Sequence, residues 1–291
     1  MTQPLLPYQY EFQPHELEAI KQCKETHGFA IVKQILSNEH NEQLKDEVRR
    51  LLGPQFTSDD ILSYTDIAFI EKSSVMAQLL TYEPLMKIAA YLNDNKPLTV
   101  NRSAAIYKNP GSAGNKANSG SHAWHTDWAA LEHPYTANGV LNNTGATSMW
   151  FYLTGSNPHN GGLAIIPDSH TDDWEGPEGY AFTEGRRSFH LIGTEPVACI
   201  DIDVPGMIPV ITEPGDLVIF AEKTYHGVNA HQGSEARLSC AVSFRDRGYD
   251  VGDVWPLPES SRAFIDSCPD EVKPLVEGYI GIDTSWVSSP S

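Results

Sequence analysis

Two short His-x-Asp units in this chain have the residue types and the spacing of a metal site. The first is His125 and Asp127 in "SHAWHTDWAA", and the second is His170 and Asp172 in "DSHTDDW". On an extended chain, side chains at positions i and i+2 project to the same side, so the two residues of one unit can share a metal ion. The chain has eleven histidines, and either unit by itself could equally belong to a surface loop.

A third metal ligand and an anion-binding pair are predicted downstream. Two histidines and one carboxylate on one face of Fe(II) form a facial triad, which leaves positions open for substrate and oxygen. The stretch "EPGDLVIFAEKTYHGVNAHQGSEARLSCAVSFR" contains a turn, a strand, His226, a polar loop, and Arg237 at the start of another strand. A hairpin-like return of the chain would bring Arg237 close to His226. Arg237 and Ser239, at i and i+2, would face the same way and could hold a carboxylate.

Two other histidines compete for a metal-binding role. His231, in "NAHQGSEA", has no strand on its near side, and we expect it to be exposed to solvent. His122 precedes His125 by three residues, so His122, His125 and Asp127 could form the local zinc site of a β-barrel hydrolase. That arrangement would leave the downstream histidine and arginine without a role, but the residues alone leave it open.

The elements that must position these residues change in character along the chain. Helices are predicted over 14–27, 37–53 and 74–93, with a strand over 29–36; Pro84 indicates a kink or two shorter helices. Later, strand-like runs bounded by Gly, Pro, Asn or Asp occupy 98–107, 147–153, 162–167, 206–211, 216–220 and 237–245. Short strands without interleaved helices favour an antiparallel sandwich or barrel. We expect one domain over 1–291, with a helical support region at 1–97, a β core at 98–250 and a C-terminal extension at 251–291.

Composition and charge exclude several functional classes. The formal net charge is −18, and without a Lys/Arg cluster nucleic acid is not an expected partner. No run of about 18 apolar residues and no N-terminal signal peptide is found, so we expect neither a membrane span nor secretion. The four cysteines are scattered, which indicates neither a disulfide framework nor a thiolate zinc site and fits a cytoplasmic protein.

Three blocks of sequence, taken in order, resemble one enzyme family. The blocks are "KNPGS…HAWHTDW", "NGGLAIIPDSH" and "PGDLVIF…HGVNAHQGSEAR", and "ETHGFAIVKQILSNEHNEQL" is similar to the family's opening helix–strand–helix. They resemble the phytanoyl-CoA dioxygenase family of Fe(II)/2-oxoglutarate-dependent oxygenases over roughly residues 12–250. Arg237 follows His226 by eleven positions, as this family expects. The resemblance implies a mainly β fold with N-terminal helices and a double-stranded β-helix core, also called jelly-roll or cupin-like.

The resemblance assigns roles to the candidate residues. It implies that Fe(II) is held by His125, Asp127 and His226. It implies that the far carboxylate of 2-oxoglutarate is held by Arg237 and Ser239, with Lys108 as a further contact unless Lys108 is an ordinary loop lysine.

The resemblance also separates the two His-x-Asp units. His170 falls on the turn "PDSH", which matches a "PGSH" element of the family whose histidine is not a metal ligand. Asp168 stands where the family has glycine, and Asp172 lies in a loop without a counterpart ligand. We therefore expect the metal at His125 and Asp127.

The implied reaction is the oxidation of a small metabolite with O2. 2-Oxoglutarate would be converted to succinate and CO2 while an unactivated C–H bond is hydroxylated, and secondary-metabolite biosynthesis is the expected setting. Asp127 argues against halogenation, because related halogenases have a small residue there; desaturation, ring rearrangement and endoperoxide formation stay open. No basic patch suits the diphosphate of coenzyme A. A zinc hydrolase and a catalytically inactive jelly-roll binding protein are the alternatives from other classes.

Aromatic side chains and one long polar segment flank the proposed site. Trp128, Trp150 and Tyr152 are expected to line the substrate pocket, while Trp124 and some of these could instead be core residues. The stretch 171–205 is polar and contains several Pro and Gly residues. We expect it to lie partly over the mouth of the pocket as an insertion, or else to be a passive surface loop.

Overall fold

The structure, a computed structural model, describes residues 4–112, 124–252 and 254–289. Its helices are α1 (Leu17–His27), α2 (Asn38–Leu52), α3 (Phe69–Lys72), α4 (Ser74–Gln78), α5 (Glu83–Leu92), α6 (Ala137–Leu141), α7 (Glu259–Ser267) and α8 (Lys273–Val276). Its strands are β1 (Glu11–Phe12), β2 (Phe29–Val32), β3 (Ser63–Asp66), β4 (Leu98–Lys108), β5 (Thr147–Tyr152), β6 (Leu163–Ile165), β7 (Tyr180–Phe182), β8 (Phe189–Leu191), β9 (Ile208–Pro209), β10 (Leu217–Ala221), β11 (His226–Val228) and β12 (Arg237–Asp246).

The N-terminal helices form where the sequence supplies caps and an apolar stripe. The Ser37 hydroxyl accepts a hydrogen bond from the His40 N–H and caps α2. Leu44 and Val48, one turn apart on α2, are buried against the sheet. The predicted helix over 74–93 is two helices, α4 and α5, separated by a 3-10 turn, and Pro84 lies in the first turn of α5.

Two facing sheets form the β core. Among the described residues, the large sheet has seven strands in the order β1-β2-β10-β5-β12-β4-β3, and the small sheet has the order β11-β6-β9. All pairs are antiparallel except β1 with β2. This arrangement confirms the predicted mainly β, jelly-roll architecture. β1, β2 and β3 come from the region expected to be a helical support, and they extend both edges of the large sheet.

The helices cover one face of the large sheet and leave the other face to the cavity. α2 contacts β4 and β12, and α1 contacts β2 and β10. Met149, Phe151 and Cys240 point to the helices and belong to the main apolar core. Alternate positions on the same strands point the other way, as the two-residue period of a strand requires. No helix in the described ranges is both long and apolar enough to cross a membrane.

The last part of the chain packs onto the same body. The Tyr279 hydroxyl and the Ser261 hydroxyl both donate hydrogen bonds to the Glu71 carboxylate, 2.7 Å away in each case. Arg245, at the end of β12, donates a hydrogen bond to the Gly278 carbonyl. These contacts join the N-terminal, central and C-terminal parts of the sequence.

Candidate metal centre and cosubstrate pocket

Backbone pairing brings the two candidate histidine ligands together. The His125 N–H donates to the His226 carbonyl at 3.0 Å, and the His226 N–H donates to the His125 carbonyl at 2.9 Å. The centres of the two imidazole rings are 4.3 Å apart. The first His-x-Asp unit therefore lies beside β11, at the edge of the small sheet.

Asp127 completes the donor set. Its Oδ1 atom lies 3.9 Å from His226 Nε2, and one donor atom from each of His125, Asp127 and His226 lies within 4.8 Å of the others. His226 Nδ1 is hydrogen-bonded to the Thr224 carbonyl at 2.9 Å and so carries the proton, which leaves Nε2 free as a metal donor. Two imidazole nitrogens and one carboxylate oxygen are the donor set that Fe(II) oxygenases use, so these residues fit the metal.

The half-buried Asp127 carboxylate lies in a favourable electrostatic environment. Burial disfavours its ionised form. Arg102, the two histidine ligands and a hydrogen bond from the Ser148 hydroxyl outweigh burial and hold the pKa of Asp127 below its ordinary value. A carboxylate that is ionised near neutral pH is what a metal ligand requires.

The second His-x-Asp unit lies elsewhere and has other partners. His170 Nε2 donates to the Glu25 carbonyl at 2.9 Å, and the exposed Asp172 pairs with Lys223 at 2.6 Å. Asp168 has a φ of 62°, in the left-handed region that glycine adopts freely and aspartate tolerates. This explains how an aspartate occupies the turn position where the family has glycine.

His231 is not exposed, so the expectation from its loop position is wrong. Its side chain is 2% exposed. The His231 N–H donates to the Ser112 carbonyl, its carbonyl accepts from the Gly111 N–H, and Nδ1 accepts from the Gly233 N–H. These contacts bury the residue against the end of β4. The zinc site considered for His122 falls outside the described residues.

Arg237 and His226 lie on strands of different sheets, on either side of the cavity, and not on the two strands of a hairpin. The expected hairpin is therefore also wrong. β11 pairs with β6 in the small sheet, whereas β12 pairs with β4 and β5 in the large sheet. His226 and Arg237 both line the cavity between the two sheets. The polar loop after His226 therefore crosses from one sheet to the other.

Unpaired polar atoms mark the place where an anionic cosubstrate fits. Arg237 is 2% exposed; one guanidinium nitrogen donates to the Gly161 carbonyl, and Nε has no partner among the described residues. The Ser239 hydroxyl, fully buried, also has no partner there. Buried donors nearly always have a hydrogen-bond partner, and the side chains of Arg237 and Ser239 lie on the same side of β12. A carboxylate from 2-oxoglutarate fits this pair.

Lys108 lies at the same end of the cavity as Arg237. It is the last residue of β4, opposite Arg237 in the strand register, and is 1% exposed, unlike an ordinary loop lysine. Its ammonium group donates to the Asn229 carbonyl at 3.1 Å. Burial, together with the neighbouring Arg237 charge, lowers the pKa of Lys108 to about 7.

The cavity, of about 250 Å³, follows three neighbouring strands. Strand register places successive rows of side chains across β4, β12 and β5: Arg102–Ser243–Ser148, then Ala104–Ala241–Trp150, then Ile106–Ser239–Tyr152. Small alanines in the middle row leave open space above the sheet. Arg102 and Lys108 are separated by about 20 Å along β4, six residues at the rise of a strand.

The aromatic residues divide between cavity and core. Trp150 and Tyr152 line the cavity. Trp128 is not among the residues that line it; its ring lies under the Lys223 ammonium group at 5.0 Å, and its backbone N–H donates to the Glu222 carbonyl. Trp124 is fully buried against Phe189. The strand period that orients Trp150 and Tyr152 does not extend to Trp128, which follows the bend at Asp127.

Several cavity residues were not anticipated from the sequence. Arg102 and Ser148 both lie near Asp127, and Ile282 reaches the cavity from the C-terminal segment. A signal for Arg102 was available, since it shares the strand face of Lys108 six positions later. The position of Ile282 has no such local signal.

The segment 171–205 does not line this inner cavity. It forms the β7–β8 hairpin and packs on Trp124, and the Thr126 N–H donates to the Arg187 carbonyl at 2.9 Å. Part of the segment instead lines a second, outer cavity of about 330 Å³, with Glu132, Glu184 and Arg187 in its wall. Asn138 lines both cavities, so they are neighbours.

Comparison with known proteins agrees with this geometry. The family model for phytanoyl-CoA dioxygenase (PhyH) matches residues 25–239. No curated protein sequence matches the chain significantly.

Solved structures share the fold at low sequence identity. The epimerase SnoN, in complex with Fe3+, alpha-ketoglutarate and nogalamycin RO, is 20% identical, with a TM-score of 0.58 and 96% of each chain covered. AviO1 from Streptomyces viridochromogenes Tue57 is 23% identical, with a TM-score of 0.55, over 81% of this chain and 97% of that one. HygX from Streptomyces hygroscopicus, with nickel, 2-oxoglutarate and hygromycin B bound, is 16% identical, with a TM-score of 0.59, over 80% and 89%.

The family match covers well over half of the chain and includes the first His-x-Asp unit, the distal histidine and the buried arginine. The chain therefore belongs to the phytanoyl-CoA dioxygenase family and is an Fe(II)/2-oxoglutarate-dependent oxygenase.

Proposed function

We propose that this enzyme hydroxylates an unactivated C–H bond of a small metabolite, with O2 and 2-oxoglutarate consumed and succinate and CO2 released. One observation carries the proposal. A His125–Asp127–His226 donor set and a buried arginine with an unpaired nitrogen line the same cavity. The first can hold the metal, and the second can hold the cosubstrate.

The chain's own residues bind, orient and exclude water. His125, Asp127 and His226 would hold the iron, which supplies the oxidising power of the reaction together with O2 and 2-oxoglutarate. Arg237 and Ser239 would hold the far carboxylate of the cosubstrate, with Lys108 adding charge behind them. Apolar cavity walls keep water from the reacting carbon and strengthen the electrostatic contacts inside.

The two cavities support a substrate of mixed polarity that is larger than the cosubstrate. 2-Oxoglutarate would occupy a large part of the inner cavity, so a larger substrate would extend past Asn138 into the outer one. The inner wall includes Ile67 and Ile282, while the outer wall includes carboxylates and Arg187. The SnoN and HygX structures contain nogalamycin RO and hygromycin B, which favours a secondary metabolite here as well.

The chemical outcome is a separate part of the proposal. Asp127 keeps a carboxylate where halogenases have a small residue, which argues against halogenation. SnoN is described as an epimerase and SnoK as a carbocyclase, so this fold accommodates outcomes other than hydroxylation. Desaturation, ring rearrangement and endoperoxide formation are therefore the outcomes against which the product must be tested.

The test measures succinate release from Fe(II), 2-oxoglutarate and a panel of candidate metabolites. Hydroxylation yields a product heavier by one oxygen atom, whereas desaturation or ring closure yields one lighter by two hydrogens. We expect Asp127→Ala to abolish substrate oxidation and His170→Ala, the matched control from the other unit, to retain iron and activity. Loss of iron in His170→Ala with retention in His125→Ala would show that the wrong unit was chosen. Bound zinc without 2-oxoglutarate-dependent oxygen uptake would favour a hydrolase instead.

A further inference from the structure

The carboxylate of Asp127 is approached from two sides by residues of the large sheet. Ser243 of β12 is paired with Arg102 of β4 on one side and with Ser148 of β5 on the other. This row of three side chains lies at the end of the cavity opposite Arg237. Arg102 and Ser148 therefore flank the position where the Asp127 side chain enters the cavity.

The two carboxylate oxygens have different neighbours. Oδ2 accepts a hydrogen bond from the Ser148 hydroxyl at 3.1 Å. Oδ1 lies 3.6 Å from an Arg102 guanidinium nitrogen and 3.9 Å from His226 Nε2. Oδ1 is thus the oxygen that faces His226, while Oδ2 accepts a hydrogen bond from a hydroxyl.

Arg102 is itself held in place. Another of its guanidinium nitrogens donates to the Asn142 side-chain oxygen. The Asn142 backbone is fixed in turn, because its N–H donates to the Asn138 carbonyl at 2.9 Å and its carbonyl accepts from the Ala129 N–H at 3.2 Å. A planar guanidinium anchored at one edge presents its other edge in a fixed direction. The charge beside Asp127 is therefore positioned and not free to swing away.

We infer that Ser148 and Arg102 are positioning residues that make Asp127 a one-oxygen metal ligand. The Ser148 hydroxyl holds Oδ2 by a hydrogen bond and Oδ1 faces His226, so a metal would be bound through Oδ1 and the second oxygen would stay with Ser148. Arg102 prevents the carboxylate from rotating and balances part of its charge. A carboxylate bound through both oxygens would use a position that the cosubstrate or O2 requires. The inference rests on the proposed metal site.

The experiment measures Fe(II) affinity without oxygen, and separately the visible absorption of the protein with Fe(II) and 2-oxoglutarate. Second-sphere partners of metal ligands typically contribute about 10- to 100-fold in metal affinity. We expect Ser148→Ala and Arg102→Met each to weaken Fe(II) binding within this range and to change the absorption spectrum. Ser148→Thr and Arg102→Lys, which keep the hydroxyl and the charge, should recover part of the loss.

A matched control separates positioning from general packing. Thr147 is buried next to Ser148 on β5, but it belongs to the opposite face of the strand and does not line the cavity. Thr147→Val should leave Fe(II) affinity and the spectrum unchanged. Urea denaturation of each variant reports whether it is folded, and Ser148→Ala, the smallest change, tests the inference if Arg102→Met does not fold.

Each outcome separates this inference from the proposed function. If Ser148→Ala binds Fe(II) as tightly as the unmodified protein and with the same spectrum, the positioning role is wrong. If Thr147→Val loses as much affinity as Ser148→Ala, the effect is packing and the inference is also wrong. If the unmodified protein binds no more Fe(II) than His125→Ala does, the proposed metal site itself fails.

Discussion

The buried end of the cavity carries two basic side chains side by side. Lys108 and Arg237 face each other across β4 and β12, and burial lowers the pKa of both. No carboxylate among the described residues raises the pKa of either. An anion from outside would relieve this repulsion, which is the reason that a dianionic cosubstrate suits the site.

This charge arrangement predicts proton uptake when 2-oxoglutarate binds. The pKa of Lys108 is about 7, so Lys108 in the free protein is largely neutral at about pH 8. A bound carboxylate favours the ammonium form. Binding at about pH 8 should therefore take up close to one proton, and affinity should fall as the pH rises past about 7. Calorimetric titration in two buffers of different ionisation enthalpy measures this uptake.

Two variants identify the group that takes up the proton. Lys108→Met should remove the uptake at about pH 8. His231, another titratable group that interacts with Lys108 and Arg237, has a lowered pKa, and His231→Gln should keep the uptake. Proton-free binding by the unmodified protein at about pH 8 would contradict the assignment.

At the scale of elements, the turn before β6 connects the two sides of the cosubstrate site. The Gly161 carbonyl accepts a hydrogen bond from Arg237 of the large sheet. The Gly162 carbonyl accepts from the Asn229 N–H at 2.9 Å and from the Asn229 side-chain nitrogen at 3.0 Å. Asn229 in turn offers its own carbonyl to Lys108. A shift of this turn would therefore move partners of both cations.

Gly162 has no room for a side chain. A Cβ atom there would lie 2.6 Å from the Asn157 carbonyl oxygen and would also meet the Ser156 hydroxyl. Gly162→Ala should lower the free energy of unfolding by about 1–3 kcal/mol, as overpacking typically does, and weaken 2-oxoglutarate binding. Gly53→Ala is the matched control, because a Cβ there meets nothing within 4 Å and its φ is ordinary. Urea denaturation of both variants measures the difference, and equal stability would contradict the close packing.

At the scale of the whole molecule, the active cavity is built from distant parts of the chain. Thr65 and Ile67 come from the N-terminal region, His226 and Arg237 from the β core, and Ile282 from the C-terminal segment. The outer cavity adds the loop after the first His-x-Asp unit, together with Glu184, Gly185 and Arg187. We therefore expect the size of the substrate to be limited by these outer segments as well as by the metal site.

Filling the outer cavity should separate substrate recognition from cosubstrate binding. Gly139 lines that cavity, and a Cβ there meets only the Thr136 hydroxyl, at an ordinary 3.5 Å. We expect Gly139→Phe to bind Fe(II) and 2-oxoglutarate normally but to lose most turnover of any substrate longer than the inner cavity. Gly139→Ala is the control for the backbone. Unchanged kcat/KM in Gly139→Phe, measured by substrate-dependent succinate release, would contradict a substrate path past Asn138.

Local patterns in the sequence were sufficient for the fold class, the family and the main helices and strands. The predicted helix over 37–53 and strand over 98–107 are present, because caps and two- or 3.6-residue periods act within a few residues. The short strands β3, β7 and β8 were not predicted. β7 and β8 have only three residues each, and whether such short segments form strands depends on the strands that they pair with. His231 was expected to be exposed because burial of a loop residue depends on what packs over it.

By itself, the sequence determined the residue types of the site and the face of each strand on which they lie. Both follow from spacing along a single segment. Only the tertiary structure decided that His125 pairs with His226, that β11 and β12 belong to opposite sheets, and that Arg102 and Ser148 meet at Asp127. The physical reason is strand register, which is set by pairing between segments far apart in the chain and cannot be obtained from either segment alone.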